Sequence, residues 1–504
     1  MDTKALRQKV LDLAIRGKLV PQDPNDEPAA VLLERIRQQK QQMVKEGKLK
    51  VKDIKNDTII FVGEDNLHYE KFADGTVKCI EDEIPFELPE GWAWTRLASI
   101  LSLSSGESIK VRQLTDAGEY PVYGGNGING TYFAYNVEAN TIIIGRVGYY
   151  CGSIYKTTSN AWVTDNALIV TVKEPNFFEL DFLVEVLKYL NLGKTSVSTA
   201  QPVVSGKGIL PLIVPVPPQN EQINILHSYN QIVPIVNILE NDKEEALSLI
   251  ATTKSKILDL AIRGQLVPQD PNDEPASVLL ERIRAEKEEL IKQGKIKRNK
   301  KESVIFRGED NSYYEKIGGK VENISDEIPF ELPEGWAWCR GYSCFEGMES
   351  TKPQGDFFDY IDIDAIDNRL HRIKEAKHLP VSDAPSRASR AVKDGSVLFS
   401  LVRPYLENIA LVEEKHSNCI ASTGFYVCNS NGVLLPEFMF FLMISGYVAN
   451  GLNQYMKGDN SPSISKDNIE NWLYPVPPIG EQQAICAKLK TVFTLVENVE
   501  KSLN

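Results

Sequence analysis

The sequence predicts an α+β protein in which two mixed α/β domains are joined by long antiparallel coiled-coil-like helices. An internal duplication gives the single chain approximate, or pseudo, two-fold symmetry. Three observations predict this architecture. Long blocks of sequence occur twice, the stretch 219–263 carries heptad-spaced apolar residues without a glycine, and the segments between the repeated blocks mix strand-like and helix-like patterns.

Length and composition limit the class of protein. The 504 residues suffice for about three domains of ordinary size, and 42% hydrophobic with 25% charged residues excludes a disordered chain. No apolar run reaches the roughly 20 residues of a membrane helix, the first residues lack a signal-peptide pattern, and the seven cysteines form no CxxC pair. We therefore expect a cytoplasmic protein with reduced thiols and no membrane partner. The net charge of −13, taken alone, argues against nucleic acid.

The repeated blocks form two nearly identical frames around two dissimilar inserts. The matching pairs are 19–29 with 266–276, 31–37 with 278–284, 82–94 with 326–338, and 215–222 with 475–482. The inserts, 97–214 and 341–474, share a pattern but few residues. A common scaffold with two different recognition surfaces explains this contrast. The alternative is that two copies diverged at unequal rates under packing constraints alone.

Heptad spacing predicts a helical seam in the frame. Its predicted apolar positions are Ile225, Tyr229, Ile232, Val236, Leu239, Ile250, Ile257 and Leu260 in the central helix, and Ile485, Leu489, Val492, Val496, Val499 and Leu503 at the C-terminus. Pro234 is a predicted kink and Gly264 a predicted stop.

The two chain ends together repeat the central helix. The N-terminus matches its second half and the C-terminus its first half, so we expect the ends to lie side by side and the two arms to be antiparallel. The alternative is a set of separate amphipathic helices, each covering its own domain. Further helices are predicted at 29–46 and 276–293, each followed by lysines that are either a solvated tail or a contact to phosphates or acidic partners.

Inside the inserts, 141–144, 167–171, 396–399 and 424–427 are predicted strands, and 181–190 and 437–447 are predicted helices. The complete division has five regions. These are an N-terminal helical region 1–81, a first insert domain 82–218, a central helical spacer 219–325, a second insert domain 326–478 and a C-terminal helix 479–504 that packs on the central helix.

Catalytic motifs are missing from the sequence. It contains no GxxxxGK[ST] phosphate loop, HExxH, GxSxG or N/D-P-P-Y/F motif, and its five histidines are scattered. One group of carboxylates could suggest a metal site: Asp356, Asp359, Asp362, Asp364 and Asp367. The alternation over 359–364 instead favours an edge strand with its polar residues facing water. We predict a non-catalytic chain with no metal.

Several insert loops have side chains that suit DNA. Arg146 follows a predicted strand and precedes Tyr149 and Tyr150, while Arg403 follows the matching strand and precedes Tyr405. Arginine can hydrogen-bond guanine or a phosphate, and asparagine can pair with adenine. The other predicted DNA-binding residues are Tyr123, Gly124, Gly125, Asn126, Gln201, Ser205, Lys207, Lys457, Ser461 and Ser463. Each loop taken singly could be ordinary surface. Because the inserts are not basic, we expect partner subunits to supply part of the grip on phosphates.

These motifs together resemble the specificity subunit of a type I restriction–modification system. The resemblance covers essentially the whole chain and is carried by LPEGWAW at 88–94 and 332–338, PxPPxxEQ at 215–222 and 475–482, YGGNG at 123–127, and LDLAIRG at 11–17 and 258–264. The second insert lacks the YGGNG run.

The resemblance implies two target recognition domains, each reading half of a split double-stranded DNA sequence, with paired helices setting the gap. It implies two modification (methyltransferase) subunits that bring S-adenosylmethionine, and, in systems that have them, two restriction subunits that bring ATP and Mg²⁺. This chain would bind no cofactor itself and would act in the prokaryotic cytoplasm. Two other hypotheses stay open: an enzyme that cuts or methylates alone, and a helical scaffold protein without DNA-sequence readout.

Overall fold

The computed structural model of the chain describes residues 2–48, 50–51, 54, 57–115, 117–173, 178–196, 202–296, 298 and 301–503. The chain divides into two compact units, Met1–Asp242 and Lys243–Asn504. Both contain helices and sheets, in agreement with the predicted mixed α/β class. This division follows compactness, so the five predicted regions stay predictions.

The first unit begins with helices and continues into an insert of short strands. Its helices are α1 (Thr3–Ile15), α2 (Ala29–Lys45), α3 (Leu97–Ile100), α4 (Leu180–Tyr189), α5 (Gly206–Ile209) and the first part of α6 (Gln219–Ile262). Its strands are β1 (Ile59–Val62), β2 (His68–Lys71), β3 (Val77–Cys79), β4 (Ala93–Arg96), β5 (Leu101–Ser105), β6 (Tyr120–Gly124), β7 (Gly127–Tyr132), β8 (Ile142–Gly145), β9 (Ile154–Lys156), β10 (Trp162–Val163), β11 (Ala167–Val172) and β12 (Ile213–Val216).

Four sheets organise these strands. β1-β2-β3 is an antiparallel meander, β4 pairs with β12, β10-β6-β7 begins with a parallel pair, and β5-β11-β8-β9 is antiparallel throughout. The core lies between this last sheet, α1, α4 and the start of α6, where Ile15, Ile144, Leu187 and Ile225 are buried. Because β8 is buried at all four positions, it reads as a continuous apolar run.

The second unit repeats this order with a larger insert. It contains the remainder of α6, then α7 (Ala276–Lys292), α8 (Gly341–Cys344), α9 (Pro436–Met443), α10 (Gly446–Ala449), α11 (Lys466–Asn471) and α12 (Ile479–Leu503). Its strands are β13 (Ser303–Arg307), β14 (Tyr313–Ile317), β15 (Lys320–Asn323), β16 (Ala337–Arg340), β17 (Phe357–Ile361), β18 (Ile366–Asp367), β19 (Arg372–Ile373), β20 (Lys377–Pro380), β21 (Ala388–Ala391), β22 (Val397–Ser400), β23 (Ile409–Leu411), β24 (Ile420–Ser422), β25 (Phe425–Cys428) and β26 (Leu473–Val476).

The sheets of the second unit are β13-β14-β15, β16-β26, β20-β17-β24-β21, β18-β19 and β23-β22-β25. One sequence expectation is wrong here. Residues Asp359–Asp364 do not form an edge strand, because β17 lies between β20 and β24 and ends at Ile361. Asp362 then starts a helical turn by accepting a hydrogen bond from the Ile363 amide. Among the described residues, no group of three or more histidines, cysteines or carboxylates could hold a metal ion.

The repeated motifs pair with each other inside each unit. β4 carries the end of LPEGWAW and β12 the start of PxPPxxEQ, and Trp94 lies opposite Pro215 in their antiparallel register. In the second unit Trp338 lies opposite Pro475 in the same way. Each insert therefore leaves and rejoins its frame through two adjacent strands.

A buried glutamate at the start of the long helix joins three segments of the first unit. Glu221 accepts hydrogen bonds from the indole N–H of Trp92 at 2.9 Å and from the Gln22 amide at 3.1 Å. Glu481 does the same in the second unit, with Trp336 at 2.7 Å and Gln269 at 3.1 Å.

Burial raises the pKa of Glu221 and of Glu481, against the opposing effect of these hydrogen bonds. The neighbouring glutamine of each motif also bridges. The Gln222 amide oxygen accepts from the Glu179 amide at 2.9 Å, and Gln482 accepts from the Leu435 amide at 2.7 Å.

Within each unit the frame helices run antiparallel. In the first, Arg7 contacts Glu240 at 2.7 Å whereas Gln22 contacts Glu221, so partners on α6 move backwards as the chain advances. In the second, the corresponding pairs are Lys254 with Glu500 at 2.9 Å and Gln269 with Glu481.

Most predicted seam residues are turned inward. Ile225, Tyr229, Val236, Ile485 and Leu489 are buried. Half-buried positions are Ile232, Leu239, Ile250, Ile257, Val492, Val496 and Leu503. The helix α6 continues through Pro234.

Two seam predictions are wrong, since Leu260 is 39% exposed and Val499 is 52% exposed. Because the repeat of an α-helix does not match a strict heptad, the inward face of a straight helix shifts after several turns to the next residue in the sequence. It passes through Leu258 and Ala261 near the end of α6, and through Glu500 in α12.

Gly264 ends α6 as predicted, with φ at +68°. Its counterpart Gly17 ends α1 with φ at +64°. A Cβ at either position would also lie within 2.5 Å of a proline ring, Pro333 or Pro89 respectively, so only glycine fits. No helix within the described ranges is long and apolar enough to cross a membrane.

A buried arginine and two carboxylates secure the three-stranded sheet of each unit. Arg340 bonds Glu315, which is 6% exposed, and Glu327, each at 2.8 Å. Arg96 repeats this arrangement with Glu70 and Glu83. Burial alone would raise the pKa of Glu315, but the hydrogen bonds from Arg340 outweigh it and hold that pKa below its usual value.

We predict that Arg340→Ala lowers the free energy of unfolding of the second unit by about 3–5 kcal/mol at neutral pH, because it strands a buried carboxylate. Without Arg340, burial raises the pKa of Glu315 in the variant, so the loss shrinks as the pH falls through that raised pKa, and it is smallest below the lowered pKa that Glu315 has beside Arg340. Urea denaturation at several pH values measures both effects. Arg282→Ala, which breaks the exposed Arg282–Glu274 pair, is the control and costs about 0–1 kcal/mol. Equal losses in the two variants would contradict this assignment.

Candidate nucleic-acid interface

The first loop cluster, defined as residues 124–126, 146–150 and 202–207, forms at the end of the buried strand β8. The β6–β7 hairpin turns through Gly125 and Asn126, and Gly127 has φ at +91° just after the turn. Arg146 follows β8 directly, and its amide donates to the Asn166 carbonyl at 2.9 Å. The sheet thus brings the hairpin tip and the arginine loop to one place.

Glycines let these two backbones touch. A Cβ on Gly125 would lie 2.4 Å from the carbonyl oxygen of Val147, and a Cβ on Gly145 would lie 2.3 Å from the carbonyl oxygen of Gly125. Gly124 and Gly125 are among the predicted DNA-binding residues, and glycine permits a ligand to approach the backbone closely. The structure shows that Gly125 is required first by the protein's own packing.

The hairpin separates a buried residue from an exposed one. Tyr123 is 6% exposed and packs among Val137, Ile143 and Tyr155, and burial raises its pKa. Asn126 is exposed at the tip. Tyr123 therefore supports the turn from below, whereas Asn126 presents its amide to the outside.

Arg146 and the two tyrosines offer different chemistry on the same loop. The Arg146 guanidinium is half-buried, and its hydrogen bonds to the Ser105 hydroxyl and the Asp165 carbonyl are both long, at 3.4 Å. Tyr149 is 88% exposed and its ring meets that of Tyr150 edge-on at 5.1 Å. The Arg146 guanidinium can hydrogen-bond the edges of bases, and the exposed tyrosine rings beside it can stack on the faces of bases.

The segment 202–207 lies along the arginine loop. The Val204 amide donates to the Arg146 carbonyl and the Gly148 amide to the Pro202 carbonyl, both at 3.0 Å. Ser205 precedes α5 at its N-cap position, and Lys207 is exposed on that helix. The predicted residue Gln201 lies outside the described residues.

The second loop cluster, defined as residues 402–406 and 457–463, follows β22. Lys457 and Ser463 exchange two backbone hydrogen bonds of 3.0 Å, which closes a hairpin that exposes Lys457 and Ser461. Arg403 lies beside it with φ at +48°, and its guanidinium donates to the Asn460 carbonyl at 3.2 Å.

Two backbone hydrogen bonds fix the register of this second cluster. The Ile464 amide donates to the Leu401 carbonyl at 2.9 Å, and the Arg403 amide donates to the Pro462 carbonyl at 2.7 Å. Tyr405 follows, 47% exposed.

The two arginines are not in equivalent positions. The matching backbone bonds align Arg146 with Leu401, and Arg403 with Gly148. Both arginines therefore follow corresponding strands, but they occupy different positions in the backbone hydrogen-bond register. The spacing from the strand ends shows the same offset, since Arg146 directly follows β8 whereas Arg403 is the third residue after β22.

The sequence missed which residues replace the YGGN turn in the second insert. The parallel pair β6–β10 ends at Tyr123 and the parallel pair β17–β24 ends at Ile361. The next residues are 124–126 in one unit and the acidic stretch 362–364 in the other. Asp364 is exposed and pairs with Lys377 at 2.7 Å. The sequence showed these residues as a cluster of carboxylates, but only the strand pairing shows that they take the place of the YGGN turn.

Comparison with known proteins agrees with this geometry. The family model for the type I restriction modification DNA specificity domain matches residues 89–249. The Escherichia coli EcoEI specificity subunit is 27% identical, over 99% of this chain and 90% of that protein. The Escherichia coli EcoAI specificity subunit is 25% identical, over 96% and 88% respectively.

Over nearly its whole length the chain is therefore similar to type I restriction specificity subunits.

Solved structures of specificity subunits also resemble it. The HsdS subunit from Thermoanaerobacter tengcongensis is 36% identical, covering 34% of this chain and 46% of that one, with a TM-score of 0.33. The S subunit from M. genitalium is 16% identical, covering 83% and 94%, also with a TM-score of 0.33.

We predict that Gly125→Ala lowers the free energy of unfolding of the first unit by about 1–3 kcal/mol, because its Cβ collides with the Val147 backbone. Urea denaturation followed by tryptophan fluorescence measures it. Gly206→Ala is a matched control in the same cluster, since its Cβ would meet only ordinary contacts at 3.9 Å. If both variants are equally stable, the hairpin tip does not pack as described.

Proposed function

We propose that this chain is the DNA-sequence specificity subunit of a type I restriction–modification complex and recognises a bipartite, asymmetric DNA target. One observation carries the proposal: matched frames hold chemically different loop clusters at equivalent ends of equivalent strands. Two chemically different loop clusters on two similar frames suit a DNA target whose two halves differ in sequence. The similarity to type I restriction specificity subunits supports the same role, in which this chain is the non-catalytic component.

In this proposal the first loop cluster reads one half-site. Arg146 hydrogen-bonds guanine O6 and N7 or a phosphate, Asn126 pairs with adenine, and the rings of Tyr149 and Tyr150 contact bases. Lys207 and Ser205 contact the DNA backbone from this cluster, and Gln201, which lies outside the described residues, contributes a further contact.

The second loop cluster reads the other half-site through Arg403, Tyr405, Lys457, Ser461 and Ser463. The amide-bearing turn of the first unit is replaced by carboxylates in the second, and carboxylates accept hydrogen bonds from cytosine N4. This difference supports unlike half-sites.

The frame serves as a ruler and scaffold. We propose that the two chain ends lie side by side, that their helices complete a second arm antiparallel to α6, and that the arms set the gap between half-sites with pseudo-two-fold symmetry. Two modification subunits and, where present, two restriction subunits assemble on this frame in the prokaryotic cytoplasm. They supply S-adenosylmethionine, ATP and Mg²⁺ and part of the grip on phosphates, since residues 97–214 are not basic.

We predict that replacing residues 97–214 with the insert of another specificity subunit changes one half of the methylated DNA motif and leaves the other half and the gap unchanged. The physical reason is that β4 and β12 pair at the base of the insert and leave the frame intact. Methylome sequencing of a host carrying this chain and its modification subunit measures the motif.

A split adenine motif that is lost with the chain supports the proposal. A scaffold without DNA-sequence readout, the alternative function, predicts that no motif follows the exchanged insert.

We predict that Arg146→Ala weakens binding of the complex to one half-site by about 1–3 kcal/mol and relaxes the base preference there. Fluorescence anisotropy with duplexes mutated in either half-site measures this effect. Lys188→Ala, which removes an equal charge from the outer face of α4, is the control and leaves the preference unchanged. A uniform loss across all duplexes would instead identify Arg146 as a phosphate contact.

A further inference from the structure

The basic residues of the first insert fall into two groups. Residues 97–214 contain eight lysines and arginines and nine acidic residues, so their charges nearly cancel. Three of the cations pair with carboxylates, and these are Lys156, Lys173 and Lys188. The other five have no ion-pair partner among the described residues: Lys110, Arg112, Arg146, Lys194 and Lys207.

The four-stranded sheet β5-β11-β8-β9 separates cations of the two groups. Ser105 at the end of β5 and Gly145 at the end of β8 lie at the same end of this sheet, which we call the loop end. Arg146 follows Gly145 at that end. β9 runs antiparallel to β8 and finishes at Lys156, and Lys173 follows β11, so both of these paired lysines lie at the other end.

The loop that follows β5, residues 106–114, carries two of the unpaired cations out from the loop end. Its start is fixed by the Glu107 amide, which donates to a carbonyl of β10 at 2.9 Å. Lys110 and Arg112 are exposed on either side of Val111, which is itself 84% exposed. Because β5 is an edge strand, this loop projects from one edge of the sheet.

Lys194 lies at the opposite edge of the sheet. It is exposed on the single helical turn Leu192–Thr195, which follows α4. A Cβ on Gly152 would lie 2.2 Å from the Gly193 nitrogen, so this turn packs directly against the residues before β9. β9 is the other edge strand, and three strand spacings of about 4.8 Å place the two edges about 14 Å apart. Arg146 lies between the edges, after β8.

This spacing matches a groove of double-stranded DNA. The major groove is about 12 Å wide, and the phosphates of the two strands border it on either side. Cations at both edges of a sheet about 14 Å across can therefore face both borders while Arg146 lies between them. Two exposed carboxylates, Glu107 and Asp165, share the loop end, and the five cations outnumber them. The nearly neutral total of the insert thus conceals a positive end.

We propose that Lys110 and Arg112 bind phosphates of one DNA strand and Lys194 binds phosphates of the other, on the two borders of the major groove that Arg146 reads. The inference rests on the proposed function, and it assigns part of the phosphate grip to this chain itself. The three side chains suit this role because they are exposed and form no ion pair within the described part of the chain, so a phosphate breaks no existing salt bridge.

Salt dependence tests this proposal, because each phosphate contact releases counterions and adds about 0.9 to the slope of log affinity against log salt concentration. In the complex of the full chain with its modification subunit, Lys110→Ala, Arg112→Ala and Lys194→Ala together should reduce the magnitude of this slope by about 2.7. Affinity should fall by the same factor for the methylated motif and for duplexes with single base changes in the first half-site. Fluorescence anisotropy at several salt concentrations measures both quantities, and an unchanged slope overturns the proposal.

Two control variants separate phosphate binding from a role in folding. Lys156→Ala removes an equal charge at the other end of the sheet and should leave the slope unchanged. Arg112→Lys with Lys194→Arg keeps both charges and should keep the full slope. If this charge-preserving variant loses as much of the slope as Arg112→Ala with Lys194→Ala, the side chains act through local structure and the proposal is overturned.

The assignment to two strands has its own test. Methylphosphonate substitutions remove the phosphate charges from one strand of the first half-site at a time. Neutralising one strand should abolish the effect of Lys194→Ala and preserve that of Arg112→Ala, and neutralising the other strand should do the reverse. If both effects vanish with the same strand, the cations do not straddle the groove and the proposal is overturned.

Failure of this inference and failure of the proposed function give different results. If the unaltered complex shows no preference for any DNA sequence, the proposed function fails. If the complex prefers its motif but the triple variant keeps the full slope, only the phosphate assignment fails. Weaker binding of the modification subunit by the triple variant in the absence of DNA would place an acidic protein surface against these cations, and would also overturn the phosphate assignment.

Discussion

A buried glutamate at the first turn of a long helix holds each unit together. Glu221 is bonded to a tryptophan from the strand that opens the insert and to a glutamine from the loop after the first helix. Glu481 makes the same bonds in the second unit. The carboxylate accepts one donor on each of its two oxygens, whereas an amide would direct its NH2 group at one of the two donors. The direction of the helix, the base of the insert and the end of the preceding helix are thereby fixed relative to one another. The other features of each unit, including its loop cluster, are positioned from this point.

The hydrogen bonds of this glutamate explain why LPEGWAW and PxPPxxEQ occur in both halves of the chain. PxPPxxEQ contains Pro215, which lies opposite Trp94, and Glu221, which bonds Trp92. The motif therefore forms one half of a contact whose other half is LPEGWAW. Beyond these strands the insert shares one apolar core with the frame helices and adds a second cluster of its own. The two inserts do have separate apolar clusters and different sheet orders. Because paired strands close the base of each insert, the rest of the insert is free to change in sequence.

The sequence was sufficient for the duplication, the long helices and the buried strands, because each has a periodic or repeated pattern. It was insufficient where position depends on distant pairing. The drift of the seam past Leu260 and Val499 follows from helix geometry over several turns, and the interior placement of β17 follows from neighbours far along the chain. For the candidate interface, residue types such as Arg146 and Asn126 were accessible from the sequence. The burial of Tyr123 and the acidic counterpart of the YGGN turn were not, since both depend on strand register.

The adjacency of β4 and β12, and of β16 and β26, has an evolutionary consequence. The repeated motifs LPEGWAW and PxPPxxEQ extend into these strands, and they flank the regions of the two halves that differ most. A genetic exchange with both crossovers inside those stretches would transplant a complete reading head and preserve every bond at its base. The fold thus makes a change of specificity a matter of recombination between like sequences, with no need for stepwise mutation through inactive intermediates.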